Sequence, residues 1–306
     1  MSNEKKASIK ASKENMNIGV CTIVFVVAAI AGIIIRAMQM VSYIDPETGF
    51  YKGYGDWINL IFYVILAVNV IFFCGRAYLS ADIKKITIGN DSHRLAGIGT
   101  RLFAVSLLWD SFYSFFVGVY NAGNAASGYT DVMKSGVLPM MLQSVFALLS
   151  AVYFFILASD FSKGTAKAYK RKLLATAPVC WAGARLIFRF LRQISFVQVS
   201  DLLLELVMIA FMIMFFMALA QVASGVYVDN FKWRIPAFGL SAALVAVVIS
   251  VPRLVFMVVN SSLINADHPF SLADFVFVIF IFTIMSKIKA DAQKPVVLAE
   301  SEEKSE

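Results

Sequence analysis

Long apolar stretches separated by short polar connections dominate this chain. A helix needs ~20 mostly apolar residues to cross a bilayer, because it rises ~1.5 Å per residue through a hydrocarbon layer ~30 Å thick. Eight stretches meet this requirement, so the pattern predicts an all-α, polytopic transmembrane helical bundle of about eight spans. The predicted spans are residues 17–42, 57–79, 98–121, 134–159, 173–196, 199–224, 235–263 and 270–288.

The composition supports a membrane protein. Hydrophobic residues make up 59% of the chain and charged residues 15%, whereas a soluble globular domain has roughly 45–50% and about 25%. The lipid bilayer is therefore an expected partner. The net charge of +7 comes from short basic loops and tails, so we expect no nucleic acid partner. The three cysteines lie in apolar stretches without metal-binding spacing, and we expect no metal and no cofactor.

Lysine and arginine are distributed unevenly between the connections. Of the 27 basic residues, 20 lie in or at the edges of the two tails and the even-numbered connections, two in or at the edges of the odd-numbered connections, and five deep inside predicted spans. By the positive-inside rule, both termini are then cytoplasmic. The short loops and this strong bias favour a bacterial cytoplasmic (cell) membrane.

The chain divides into one membrane domain and two tails. We expect a basic cytoplasmic tail, an eight-helix membrane domain and a charged, disordered cytoplasmic tail, at residues 1–16, 17–288 and 289–306. The first span has the basic lead and the Ala29-Ile30-Ala31 site of a signal peptide. Its apolar run continues through Ile35, which favours a retained span over cleavage.

A weak internal repeat accompanies this pattern. Three odd-numbered spans carry an arginine, and an aspartate follows where the next span begins. The pairs are Arg36 and Asp56, Arg185 and Asp201, and Arg253 and Asp274, with separations of 20, 16 and 21 residues. Either the domain is built from parallel hairpin repeats, or the spacing arises by chance.

Seven ionisable side chains are predicted deep inside the spans. They are Arg36, Asp110, Arg185, Arg189, Arg192, Glu205 and Arg253. An arginine or aspartate at a helix centre costs about 2.5–3.5 kcal/mol on insertion scales, so pairing, water or a ligand must offset it. Five arginines against two acids leave a positive surplus in the predicted outer half of the membrane. This surplus predicts an outward-facing, arginine-lined pocket for a small anionic or zwitterionic solute.

Helical spacing also predicts which of these groups meet. One helix face carries Arg185, Arg189 and Arg192, and another carries Asp201 and Glu205. A short turn between spans five and six would bring the two faces together. Asp110 and Arg253 are expected at matching depth and could pair. The interfacial aspartates Asp56, Asp201 and Asp274 are interpreted as helix caps, with Ser271 to Asp274 as a capping box. If they instead pair with arginine, they would neutralise the surplus.

The candidate ligand-binding residues follow from these depths. They are Arg36, Asp110, Arg185, Arg189, Glu205 and Arg253. Helix-packing salt bridges offer a structural alternative for all of them, because an ion pair meets the same physical need as a ligand. Arg192 is placed close enough to the outer surface to extend its charged group into water.

Catalytic motifs are scarce. Gly53-Tyr54-Gly55-Asp56 matches the GxGD string of intramembrane aspartyl proteases, but that chemistry needs two close carboxylates and Asp110 is the only deep aspartate. No GxSxG, HExxH or phosphate-binding loop occurs, so an enzyme is less expected. The sequence favours a transporter or permease-like protein. The alternative is a non-enzymatic sensor, or a subunit of a complex with membrane protein partners.

Overall fold

A computed structural model describes residues 18–44, 51–80, 92–124, 136–165, 167–191, 199–224, 232–259 and 270–292. These residues form eight α-helices, and both predicted tails lie outside the described ranges apart from residues 289–292. The helices are α1 (Ile18–Met38), α2 (Gly55–Leu79), α3 (Arg94–Asn124), α4 (Val137–Lys163), α5 (Ala177–Leu191), α6 (Val199–Ala223), α7 (Arg234–Val259) and α8 (Leu272–Ala292). A π-helical turn, Gln39–Tyr43, extends α1, and two short 3-10 turns connect α4 to α5.

Each predicted span overlaps one helix, and the helical bundle is confirmed. Within the described residues, six helices are long and apolar enough to cross a membrane, namely α1, α2, α3, α4, α6 and α7. The chain is therefore a multi-pass membrane protein. Helix α5 has 15 residues and is only ~22 Å long, while α8 carries charged residues in both its first and its last turn. Eight spans and the orientation of the termini stay predictions.

Six helices form a closed ring. Neighbours in sequence from α3 to α8 pack against one another, and α8 returns to pack against α3. Helices α1 and α2 lie outside this ring, where both pack against α7. Helix α7 is consequently surrounded by four others, and small residues line it. Its buried small residues are Ala237, Gly239, Ser241, Ala242, Ala243, Ala246 and Ser250, a composition that lets membrane helices approach closely.

Helix α3 approaches its two neighbours in the ring closely. A Cβ atom on Gly97 would lie 2.3 Å from Ser162 Oγ of α4, and one on Gly99 would lie 2.1 Å from Thr283 Oγ1 of α8. Ser111 and Ser144 tie α3 to α4 further along, because each hydroxyl donates to the other residue's carbonyl at 2.8 and 2.9 Å.

Aromatic side chains fill the middle of the ring. Phe103 of α3 is fully buried and its ring centroid lies 4.9 Å from that of Phe154 and 5.0 Å from that of Phe280. Trp181 and Phe216 complete the contacts around it. Side chains from α3, α4, α5, α6 and α8 therefore meet in one apolar layer, which we call the aromatic core. It packs the interior with rigid side chains that carry little polar surface.

Candidate functional site

Charged side chains from five helices gather at one end of the bundle. We call this set the charge cluster: Arg36 of α1, Arg185 and Arg189 of α5, Asp201 and Glu205 of α6, Arg253 of α7 and Asp274 of α8. The arginines lie in the second half of their helices, whereas the carboxylates lie in the first two turns of theirs. Antiparallel packing brings these positions to the same level, so the site follows from helix direction.

Asp201 joins three helices. Its Oδ1 accepts a hydrogen bond from Arg36 of α1 and another from Arg253 Nη2 of α7 at 3.2 Å. Arg36 also donates from Nη1 to Gln39 Oε1 at 2.9 Å. Both arginine side chains are buried, at 2% and 5% exposure. The α1–α2 pair, which lies outside the ring, is thus linked to α6 and α7 through one carboxylate.

Glu205 lies one helical turn beyond Asp201 and is also shared. Arg253 Nη1 donates to its Oε1 at 2.5 Å, and Arg189 Nε lies 2.8 Å from its Oε2. The predicted meeting of the basic face of α5 with the acidic face of α6 is therefore confirmed for Arg189 and Glu205. Arg253 therefore contacts both acids of α6.

Arg185 forms the most regular pair of the cluster. Its two terminal nitrogens donate to the two oxygens of Asp274 at 2.6 and 2.8 Å, a bidentate geometry that favours arginine over lysine. Its guanidinium also lies over the Trp181 ring, 5.1 Å from the centroid. Ser271 does cap α8, since Asp274 N donates to its Oγ at 3.4 Å. The capping-only interpretation of Asp201 and Asp274 is nevertheless wrong, because both carboxylates bind arginine.

Asp110 lies one layer away, in the middle of α3. Its Oδ2 accepts hydrogen bonds from Trp181 Nε1 at 2.8 Å and from Gln143 Nε2 at 3.0 Å. The predicted pair of Asp110 with Arg253 does not form, because Arg253 is directed to the two acids of α6. Trp181 nonetheless connects Asp110 to the charge cluster, as its indole N–H binds Asp110 while its ring faces Arg185.

The charges balance among the described residues. The charge cluster has four arginines and three carboxylates, and Asp110 adds a fourth negative group. Arg192, the fifth predicted deep arginine, lies outside the described residues. The positive surplus expected from the sequence depended on leaving Asp201 and Asp274 out. Within the described ranges that surplus is replaced by mutual pairing.

The structure brings together all six candidate ligand-binding residues, with Asp110 at the margin. Sequence reasoning left Asp201 and Asp274 out of the site because each stands at a helix start, where a carboxylate commonly caps. The signal that could have included Asp201 was its i, i+4 spacing with Glu205. Asp56, the third interfacial aspartate, is exposed in the first turn of α2.

Among the described residues, no group of three or more His, Cys, Asp or Glu side chains is placed to hold a metal ion. No protein-family model, no curated protein and no solved structure matches this chain.

Proposed function

We propose that this membrane protein binds a small zwitterionic solute at the charge cluster and moves it across the membrane as a transporter or permease-like protein. One observation carries the proposal: seven charged side chains from five helices meet inside the bundle. Ionisable groups at membrane depth are expensive, and they commonly mark solute or ion pathways.

Charge balance supports a zwitterion over a simple anion. Each arginine of the cluster already has a carboxylate within 3.2 Å. An anion that displaced one of these carboxylates would leave it buried without a partner, at a cost of about 3–5 kcal/mol. A zwitterion brings both signs, so its carboxylate can take an arginine while its cation takes the released acid. Asp110, which accepts hydrogen bonds from two neutral donors, is a further acceptor for that cation.

The connectivity of the pairs supports movement. Ion pairs of the charge cluster join helices from different predicted hairpins: α1 with α6, α7 with α6, and α5 with α8. A solute that exchanges these pairs therefore alters how hairpins are held together. Pro252 lies inside α7 directly before Arg253, and a proline there weakens the helix at the site. The aromatic core lies beside the cluster and would close the path beyond it.

Ligand binding and transport can be tested with one matched variant. Arg185→Gln/Asp274→Asn removes a complete ion pair, so the net charge stays the same and neither partner is left buried alone. We expect amino acids or betaines to raise the thermal midpoint of the wild type in mild detergent, and to do so far less in this variant. Uptake of the same compound into reconstituted vesicles should fall in parallel. Equal binding and uptake in both proteins would contradict the proposal.

A second candidate is a non-enzymatic sensor or a subunit of a membrane complex. The observation that favours it is the mutual pairing itself, since the arginines and carboxylates of the cluster offset one another without a ligand. On this reading the cluster fastens the α1–α2 pair and α8 to the rest of the bundle. A stable protein partner in a mild-detergent pull-down, together with unchanged solute flux in the double variant, would support it over the transporter.

A further inference from the structure

The connection between α4 and α5 presents a run of basic side chains. Its exposed basic residues, which we call the basic platform, are Lys163, Lys167, Lys170, Arg171 and Lys172. The only acid between residues 160 and 176 is Asp160, whose side chain is buried at 1% exposure. The surface of this connection is therefore strongly positive.

Asp160 holds the platform in a fixed shape. Its Oδ1 accepts a hydrogen bond from Thr165 Oγ1 at 2.5 Å, and its Oδ2 accepts one from Ala168 N at 2.6 Å. Ala168 and Ala175 are buried against the bundle at 3% and 2% exposure. The backbone of the connection is thus anchored at three points. Asp160 is buried in this anchor, whereas the basic side chains of the platform are exposed.

The start of α3 extends the positive surface. His93 N donates to Phe161 O at 2.6 Å, and Arg101 Nη2 donates to Ser162 Oγ at 3.1 Å, so this end of α3 lies against the end of α4. Arg94 and Arg101 are both exposed. Two more basic groups therefore stand at the same end of the bundle as the platform.

An apolar side chain accompanies these charges. Leu173 directly follows Lys172 and is 86% exposed. An exposed leucine beside basic groups fits the boundary between headgroups and acyl chains, where both kinds of surface find a partner. On the topology expected from the sequence, this end faces the cytoplasmic leaflet, which is the leaflet that attracts clusters of lysine and arginine beside membrane helices.

We propose that the basic platform binds the phosphate groups of anionic phospholipids. Lysine provides compact point charges, and the guanidinium of Arg171 can bind two phosphate oxygens at once. The fixed backbone positions these groups before the lipid binds, so less conformational entropy is lost on binding than in a flexible loop. This inference is independent of the solute proposed for the charge cluster, which lies at the opposite end of α4 and α5.

Native mass spectrometry of the detergent-solubilised protein tests the proposal. The probes are phosphatidylglycerol and, as the zwitterionic comparison, phosphatidylcholine. We compare Lys170→Gln with Lys52→Gln, which removes the same charge from an exposed lysine at the other end of the bundle. The platform variant should bind phosphatidylglycerol about fivefold less tightly, since one basic group near a lipid surface contributes on this scale. The control variant should bind as the wild type does. Equal losses in both variants, or equal binding of both lipids to the wild type, would overturn the proposal.

Two further measurements distinguish lipid binding at the platform from nonspecific electrostatic attraction of anionic lipid. Asp160→Asn keeps every surface charge but weakens the anchor, and we expect a severalfold loss of phosphatidylglycerol binding. Wild-type binding by this variant would overturn the role of the fixed shape. Millimolar inorganic phosphate should not displace the lipid. Full displacement would identify a site for free phosphate and overturn the assignment to lipid.

Discussion

The two ends of α4 and α5 carry charge in opposite ways. At one end, the charge cluster buries arginines and carboxylates that contact one another between helices. At the other end, the basic platform exposes its charges to the surroundings and buries a single acid, Asp160, whose partners are a hydroxyl and a backbone N–H. The same bundle thus contains a balanced interior site and an unbalanced surface.

This difference indicates which charged side chains contribute most to the free energy of unfolding. A buried pair has lost its hydration, so removing one partner leaves the other without compensation at a cost of about 3–5 kcal/mol. An exposed charge keeps its hydration, and its interactions are worth about 0–1 kcal/mol. We therefore expect substitutions at the two ends to differ severalfold in their effect on the free energy of unfolding.

The largest effect is expected for Arg253→Gln. This change removes two carboxylate contacts and leaves Asp201 and Glu205 facing fewer positive groups. We expect the free energy of unfolding to fall by about 3–5 kcal/mol, measured by thermal and denaturant unfolding in mild detergent. A loss below about 1 kcal/mol, as for an exposed pair, would mean that the cluster is hydrated and would remove the contrast between the two ends.

The next effect is expected for Arg185→Gln, which leaves Asp274 without its bidentate partner. The single change should cost about 3 kcal/mol, while the double variant with Asp274→Asn should lie within ~1 kcal/mol of the wild type, because a neutral pair leaves no buried charge. A double-mutant cycle measures this recovery directly. Additive losses in the cycle would show that the two side chains do not interact.

The fold was largely predictable because apolar length is a direct physical requirement. Each predicted span overlaps one helix, since an apolar stretch in lipid must satisfy its backbone hydrogen bonds internally. Helix α5 is the instructive exception. Its predicted span began at residue 173, but Pro178 lacks a backbone N–H, and the helix begins at Ala177 after two 3-10 turns. A hydropathy pattern alone does not show that a proline limits where the helix can begin. Ring closure between α3 and α8 was not predictable either, as it depends on close approaches such as Gly99 against Thr283.

The site was predictable in its members but not in its pairing. Depth along each helix identified Arg185, Arg189 and Arg253, because depth follows from counting residues. Partner choice depends on how helices are arranged around the ring, which a single sequence does not contain. Arg185 therefore pairs with Asp274 of α8 and not with the neighbouring face of α6. The expected charge surplus does not form among the described residues, because it depended on treating the aspartates at helix starts as local caps, whereas Asp201 and Asp274 pair with arginine.

An intermediate effect is expected for Asp160→Ala. The change leaves Ala168 N and Thr165 Oγ1 without their acceptor, and an unsatisfied buried donor costs about 1–3 kcal/mol. Hydrogen exchange at residues 165–170 should increase, while exchange near the charge cluster stays the same. Exchange that rises throughout the bundle would show that the anchor supports the whole fold and not this connection alone.

The smallest effect is expected for Lys163→Gln/Lys167→Gln on the basic platform. Both side chains are exposed, so the free energy of unfolding should change by less than about 0.5 kcal/mol. Salt sharpens the contrast, because it screens solvated charges strongly and desolvated pairs weakly. Raising the salt concentration should therefore weaken anionic lipid binding at the platform while leaving the coupling between Arg185 and Asp274 nearly constant. If salt reduces that coupling as strongly as it reduces lipid binding, water reaches the charge cluster as it reaches the basic platform. Burial would then not explain the difference between the two ends.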